Sequence, residues 1–154
     1  MAHRLNILFL CTGNSCRSQM AEGFARALKG DALHAQSAGV APHGLDPRAV
    51  RVMAEAGVDI SGQRAKDVRD LLTEDFDWVV TVCDNARESC PRFPGAHTRV
   101  VHRSFEDPPR LVRGARSEDE ALAHYRRVRD EIRAFVETLP GALDALAALE
   151  DETD

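Results

Sequence analysis

Residues 5–30, LNILFLCTGNSCRSQMAEGFARALKG, decide the fold class. The run at 5–10 is short and apolar, as a strand buried in a parallel sheet is. Beyond the small polar loop at 11–17, Ala21, Phe24, Ala25 and Leu28 fall at helical spacing, and Gly30 is placed to end that helix. The stretch therefore reads as strand, loop, helix.

The same alternation continues along the chain. Residues 33–38 read as a second strand, and Asp46 followed by Pro47 reads as an N-cap with proline at the first helical position, for a helix to Ala56 closed by Gly57. A shorter helix is expected over 65–72. WVVTV at 78–82 and TRVVH at 98–102 carry the β-branched character of strands. Ser117 with Glu120 forms a capping box ahead of Leu122, Tyr125, Val128, Ile132, Phe135 and Leu139, a long helix expected to stop at Pro140 and Gly141. The acidic end EDETD is expected to fray. Strands alternating with helices predict an α/β fold, a three-layer sandwich around a four-stranded parallel sheet, with residues 1–154 as a single domain.

The bulk numbers set the surroundings. With 20 basic and 25 acidic residues the net charge is −5, so no global positive field draws in nucleic acid or a membrane surface, and an anion site has to be local. No apolar run approaches the roughly 20 residues that cross a bilayer. Asn6 breaks the apolar opening and no cleavage site follows it, so a cytoplasmic protein is expected, as a monomer. There the four cysteines are catalytic, metal-bound or simply buried rather than a permanent disulfide framework.

Cys11 stands where sites form in open parallel sheets, outside the carboxyl end of a strand. Thr12, Gly13, Asn14 and Ser15 are small or flexible, so their backbone N–H groups can curl around a tetrahedral oxyanion at the start of the next helix. Arg17 adds a two-pronged cation. The positive end that holds the anion is expected to lower the Cys11 pKa and preform a nucleophile, with Ser18 donating to its sulfur. Cys16 is read as packing under the turn. The bland alternative is a buried cysteine in a tight turn.

CTGNSCRSQMAEG resembles the phosphate-loop signature of the low-molecular-weight tyrosine phosphatase superfamily, and specifically its thioredoxin-coupled arsenate reductase branch. The likeness runs to about Leu139 and includes SAGV at 37–40, VVTVCDNARESCP, FEDPP and RVRDEI at 127–132. A reductase must dispose of two electrons, and Cys83 and Cys90 are the further thiols. The resemblance implies that Cys11 attacks arsenate while Asp107 protonates the departing hydroxyl, and that Cys83 then attacks Cys11 and releases arsenite. Cys90 resolves that bond, and thioredoxin reduces the final Cys83 to Cys90 disulfide; glutaredoxin or another thiol carrier stays open as the donor. If the segment from Cys83 to Cys90 is helical, it rises roughly 10.5 Å, beyond the ~4.4 to 6.8 Å Cα separation that a disulfide accepts, so oxidation has to unwind it. Gln19 and Pro109 depart from the proline and tyrosine usual in the phosphatases, which makes a phosphotyrosine phosphatase the second reading. Glu106 is the rival acid to Asp107.

No bound cofactor is expected. Asn14, Glu22 and Ser37 match positions that in some relatives surround a potassium ion, but no remaining acidic ligand is evident around Lys66 and Asp67. A structural zinc site fits poorly, because Cys83 and Cys90 are too widely spaced for the usual pair. A non-enzymatic oxyanion-binding or redox-sensing module would bind without releasing arsenite. The six histidines show no ligand spacing.

Overall fold

The computed structural model describes residues 3–152. Strands β1 (Leu5–Cys11), β2 (Leu33–Gly39), β3 (Trp78–Thr81) and β4 (Arg99–His102) form one parallel sheet in the order β2-β1-β3-β4. β1 pairs with β2 from Leu5↔Leu33 to Cys11↔Gly39 and, on its other edge, with β3 from Ile7↔Trp78 to Leu10↔Thr81. Successive side chains of a strand point to opposite faces. Because Ile7 to Cys11 are all buried, both faces of the sheet are covered and the sandwich has three layers.

The helices are α1 (Arg17–Lys29), α2 (Pro47–Glu55), α3 (Asp84–Glu88), α4 (Pro108–Leu111), α5 (Glu118–Glu137) and α6 (Gly141–Glu152). α5 packs on α1 and α2 through the expected stripe of Leu122, Tyr125, Val128, Ile132 and Phe135. Each such side chain contributes about 1.5–3 kcal/mol by leaving water. Ser117 caps α5 as expected, accepting from Glu120 N at 3.1 Å, but Glu120 reaches back to Arg116 N instead of to the cap itself.

Two expectations are corrected and one helix is added. The helix over 65–72 is only a 3-10 turn, Val68–Leu71, because Gly39 N–H donates to Lys66 O (2.8 Å) and bridges Asp67, holding these residues extended. The long helix α5 stops before Pro140, as expected, but a further helix follows: α6 begins at Gly141, buries Leu143 and Ala147, and lies against β4. The tail is consequently helical through Glu152, while 153–154 lie outside the described residues. No helix among the described residues is long and apolar enough to cross a membrane.

Candidate active site

β1 is flanked by β2 on one side and β3 on the other, so the chain reverses direction across the sheet there and opens a crevice beyond the carboxyl ends of β1 and β3. Cys11 ends β1, and Cys83 follows β3 as the N-cap of α3. Sheet order alone thus brings together two cysteines 72 positions apart.

The loop between β1 and α1 is shaped by what its carbonyls do. Cys11, Thr12, Gly13 and Ser15 each direct a carbonyl to a backbone N–H of residues 40–46, at 2.9–3.1 Å, and Asn14 O accepts from Gln19 Nε2 at 2.9 Å. The N–H groups of Gly13, Asn14, Ser15 and Cys16 donate to no acceptor among the described residues, which leaves them for an anion. Asn14 makes the curl with a left-handed φ of 48°, a conformation asparagine tolerates. β2 meets the loop at Gly39, where a Cβ would stand 2.6 Å from Thr12 O.

Arg17, the first residue of α1, donates from Nη1 to Phe105 O at 2.9 Å and places Nη2 3.5 Å from Asp107 Oδ1. Its Nε is buried with no partner. A buried unpaired guanidinium N–H is costly, and an oxyanion in the loop would satisfy it. The cavity above holds about 980 Å³ and is lined by Cys11, Arg17, His43, Cys83 and Asp107 among others. Asp107 caps α4 without using its carboxylate, which stays 40% exposed at the cavity. Glu106 also borders the cavity, but its carboxylate is 60% exposed and paired with Arg127 at 3.1 Å. Asp107 is thus the carboxylate that faces Arg17, whereas Glu106 is engaged by Arg127.

Cys11 and Cys83 line the same cavity, close enough that each thiol shifts the titration of the other. The interaction with Cys83, then burial, raises Cys11 well above its ordinary value, with Arg17 opposing. The same interaction lowers Cys83 to about 5 despite burial, helped by the Thr12 hydroxyl, the Ala86 N–H and Arg17. The direction at Cys11 is opposite to the expected lowering, because a second thiol stands beside it. The start of α3 and Thr12 stabilise charge at Cys83, and two thiolates in contact repel. Ser18, expected to donate to Cys11, instead accepts from Asn14 Nδ2 at 2.9 Å through its Oγ and braces the loop. Cys16 is buried, and burial raises its pKa, as suits a packing role. Half-buried Cys90 is raised to about 11 by burial and stands two residues past α3, with all four cysteines free.

The profile of the low molecular weight phosphotyrosine protein phosphatase family matches residues 6–150. The chain belongs to this family. It is 46% identical over 136 residues to an arsenate reductase of Bacillus subtilis, covering 86% of this chain and 95% of the relative. It is 41% identical to arsenate reductase 1 of Staphylococcus epidermidis over 132 residues, covering 86% and 92%. Among solved structures, an arsenate reductase in the phosphate binding state superposes with a TM-score of 0.69 at 30% identity, over 88% of this chain and 95% of that one. A low molecular weight protein tyrosine phosphatase from T. tengcongensis gives 0.68 at 28%, over 88% and 97%.

Pro109, which follows Asp107 and Pro108, lines the cavity and brings no aromatic ring to it. The residues matched to a potassium site do converge, but on each other. Ser37 Oγ donates to Glu22 Oε1 at 2.8 Å, Lys66 Nζ lies 3.5 Å from that oxygen, and Arg26 Nη2 lies 3.3 Å from Oε2. Asn14 Oδ1 accepts from Lys66 N at 2.8 Å. With the Glu22 carboxylate buried and these oxygens facing proton donors, the donor set does not fit a monovalent cation. Among the described residues no three His, Cys, Asp or Glu side chains form a metal-holding group.

Three features escape the sequence reading: the 40–46 brace, the Thr12 hydroxyl 3.3 Å from Cys83 Sγ, and Asn85, which donates to Thr12 Oγ1 at 2.9 Å. Only SAGV at 37–40, part of the family likeness, points toward the first. The other two depend on α3 folding back over the loop, which no local pattern announces.

Proposed function

We propose that this chain is an arsenate reductase that uses Cys11, Cys83 and Cys90 in succession and passes the resulting disulfide to thioredoxin. The observation that carries the reading is the second sulfur, Cys83, which lines the same cavity as Cys11 and lies 3.3 Å from the hydroxyl of Thr12 in the anion loop. Phosphoester hydrolysis needs one thiol there. The relatives named arsenate reductase support the choice of oxyanion.

Arsenate enters the loop against the free N–H groups and Arg17 Nε. Its negative charge stabilises one proton on the thiol pair; with that proton on Cys83, the Cys11 thiolate attacks and forms an S–As bond. Asp107 protonates the departing hydroxyl, which leaves as water. Cys83 then gives up its proton to solvent, and its thiolate attacks the Cys11 sulfur. The S–S bond forms, the S–As bond breaks, and the electron pair goes to arsenic, so As(V) leaves as arsenite while two thiols become one disulfide. Cys90, as thiolate, attacks Cys83 and frees Cys11. A dithiol of the thioredoxin class reduces Cys83–Cys90 and is itself oxidised.

The decisive experiment is arsenate-dependent NADPH oxidation with thioredoxin and its reductase, run beside aryl phosphate hydrolysis. Wild type should turn over arsenate many times; Cys83→Ser and Cys90→Ser should each lower multiple turnover by about 10³-fold or more, as loss of a covalent participant does. Phosphate ester hydrolysis without arsenate turnover would assign the loop to a phosphatase, and glutaredoxin replacing thioredoxin would change the partner alone.

A further inference from the structure

We propose that Asn85 is a positioning residue that fixes the direction of the Thr12 hydroxyl, so that its single proton is donated to the Cys83 sulfur. The proposal rests on the reading of Cys83 as the thiol that attacks second.

Thr12 Oγ1 has two polar neighbours, Cys83 Sγ at 3.3 Å and Asn85 Nδ2 at 2.9 Å. An amide NH2 has only protons to offer, so it occupies a lone pair of the hydroxyl and leaves the hydroxyl proton for the sulfur. With the Asn85 amide reversed, its oxygen would claim that proton and the sulfur would face bare lone pairs. The orientation that satisfies all three groups is therefore Asn85 to Thr12 to Cys83.

The second donor on that sulfur comes from the same turn: Ala86 N–H approaches Cys83 Sγ at 3.4 Å. Asn85 and Ala86 are both residues of α3, so these two of the supports of the Cys83 thiolate exist only while α3 is wound. Asn85 is exposed and packs into no core, so its bond to Thr12 does little for the fold as such. What it does is tie the winding of α3 to the nucleophilicity of Cys83. Once the chain opens to let Cys90 reach Cys83, the hydroxyl loses its orienting partner.

The test is the pH profile of Cys83 alkylation by iodoacetamide, read peptide by peptide by mass spectrometry on the full chain without arsenate. Asn85→Ala should lower the Cys83 thiolate fraction about threefold at a pH below its midpoint, the worth of one modest hydrogen bond. Asn85→Asp reverses the donor, adds charge and should do more, about tenfold. In a Thr12→Val background, Asn85→Ala should change nothing further. An unshifted profile in Asn85→Ala, or a shift of the same size in the Thr12→Val background, overturns the proposal. A purely structural role would speed amide exchange of residues 84–88 yet leave the effect independent of Thr12. Since no arsenate is present, the role of Asn85 is tested even in a protein that fails to reduce arsenate, and Cys83→Ser turnover judges the other reading separately.

Discussion

Residues 11–17 and 84–90 share one rim of the sheet and are held in opposite ways. The loop is fastened by backbone: four of its carbonyls are drawn to residues 40–46, and Cys11, Asn14 and Cys16 are at most 4% exposed. α3 and its continuation bury only Ala86 and are held by side chains, namely Cys83 Sγ on Ala86 N, Asn85 on Thr12, Asp84 on His102 and Arg87 on Glu150. Backbone hydrogen bonds of a braced loop open together or not at all, whereas exposed side-chain contacts open singly at small cost. The loop must present fixed donors to an anion. In the proposed cascade the α3 segment comes apart for Cys90 to reach Cys83.

The largest expected effect lies on the rigid side. Gly39→Ala would place a Cβ 2.6 Å from Thr12 O, against backbone that the 40–46 brace prevents from retreating. Displacement of the loop by about 1 Å should weaken phosphate binding, measured by titration calorimetry, about 10²-fold. Ser89→Ala, on the exposed end of α3, should leave it within about twofold. Equal binding by Gly39→Ala and wild type would mean that the loop is as pliable as α3.

A middle-sized effect separates the thiols by pH. Cys83 is held at about 5 and Cys90 at about 11, so between pH 8 and 6 the first is already thiolate and the second is almost all thiol. Iodoacetamide labelling of Cys83 should stay nearly constant over that range and halve near pH 5, while labelling of Cys90 should fall about tenfold per unit. Burial sets the Cys90 value, and unwinding α3 exposes it. Trapping Cys11 and Cys83 as a disulfide, with Cys90 free, should therefore raise Cys90 labelling at neutral pH; unchanged labelling would show that the segment does not open.

The fold is legible because β1 and α1 carry their periods openly and because strands without disulfides or repeats leave one economical arrangement. Cys11, Arg17 and Asp107 are legible for the same reason, each lying within three residues of the end of a strand or the start of a helix. Charge placement is not. Position at a helix start points to Cys11 alone, but Cys83 caps α3, a helix only five residues long, and so brings a second thiol to the same rim. α6 escapes because Pro140 reads as a stop, yet proline is equally at home just before a first helical turn. The rivalry of Glu106 and Asp107 depends on Arg127, 21 positions away on α5, a partner that only tertiary packing brings near.

The smallest effect tests the α3 side most directly. His102, at the end of β4, accepts or donates through Nδ1 to the Thr81 hydroxyl at 2.7 Å and meets Asp84 through Nε2 at 3.0 Å. Thr81 is buried, so the ring is fixed from the sheet side, while Asp84 is 82% exposed and belongs to the segment that has to open. The contact is made with α3 wound, which is the dithiol form, so it stabilises the reduced state over the Cys83–Cys90 disulfide. Screening by water limits an exposed contact of this kind to about 0.5–1 kcal/mol. His102→Leu should therefore make the Cys83–Cys90 couple more negative by about 10–20 mV, since 30 mV corresponds to about 1.4 kcal/mol. Asp84→Ala should shift it equally, and the double variant no further, when the three are equilibrated with dithiothreitol buffers and quantified by alkylation. No shift would mean that the contact persists in the disulfide, and a shift toward less negative values that it tightens there; in either case the segment would be a braced element like the loop rather than its counterpart.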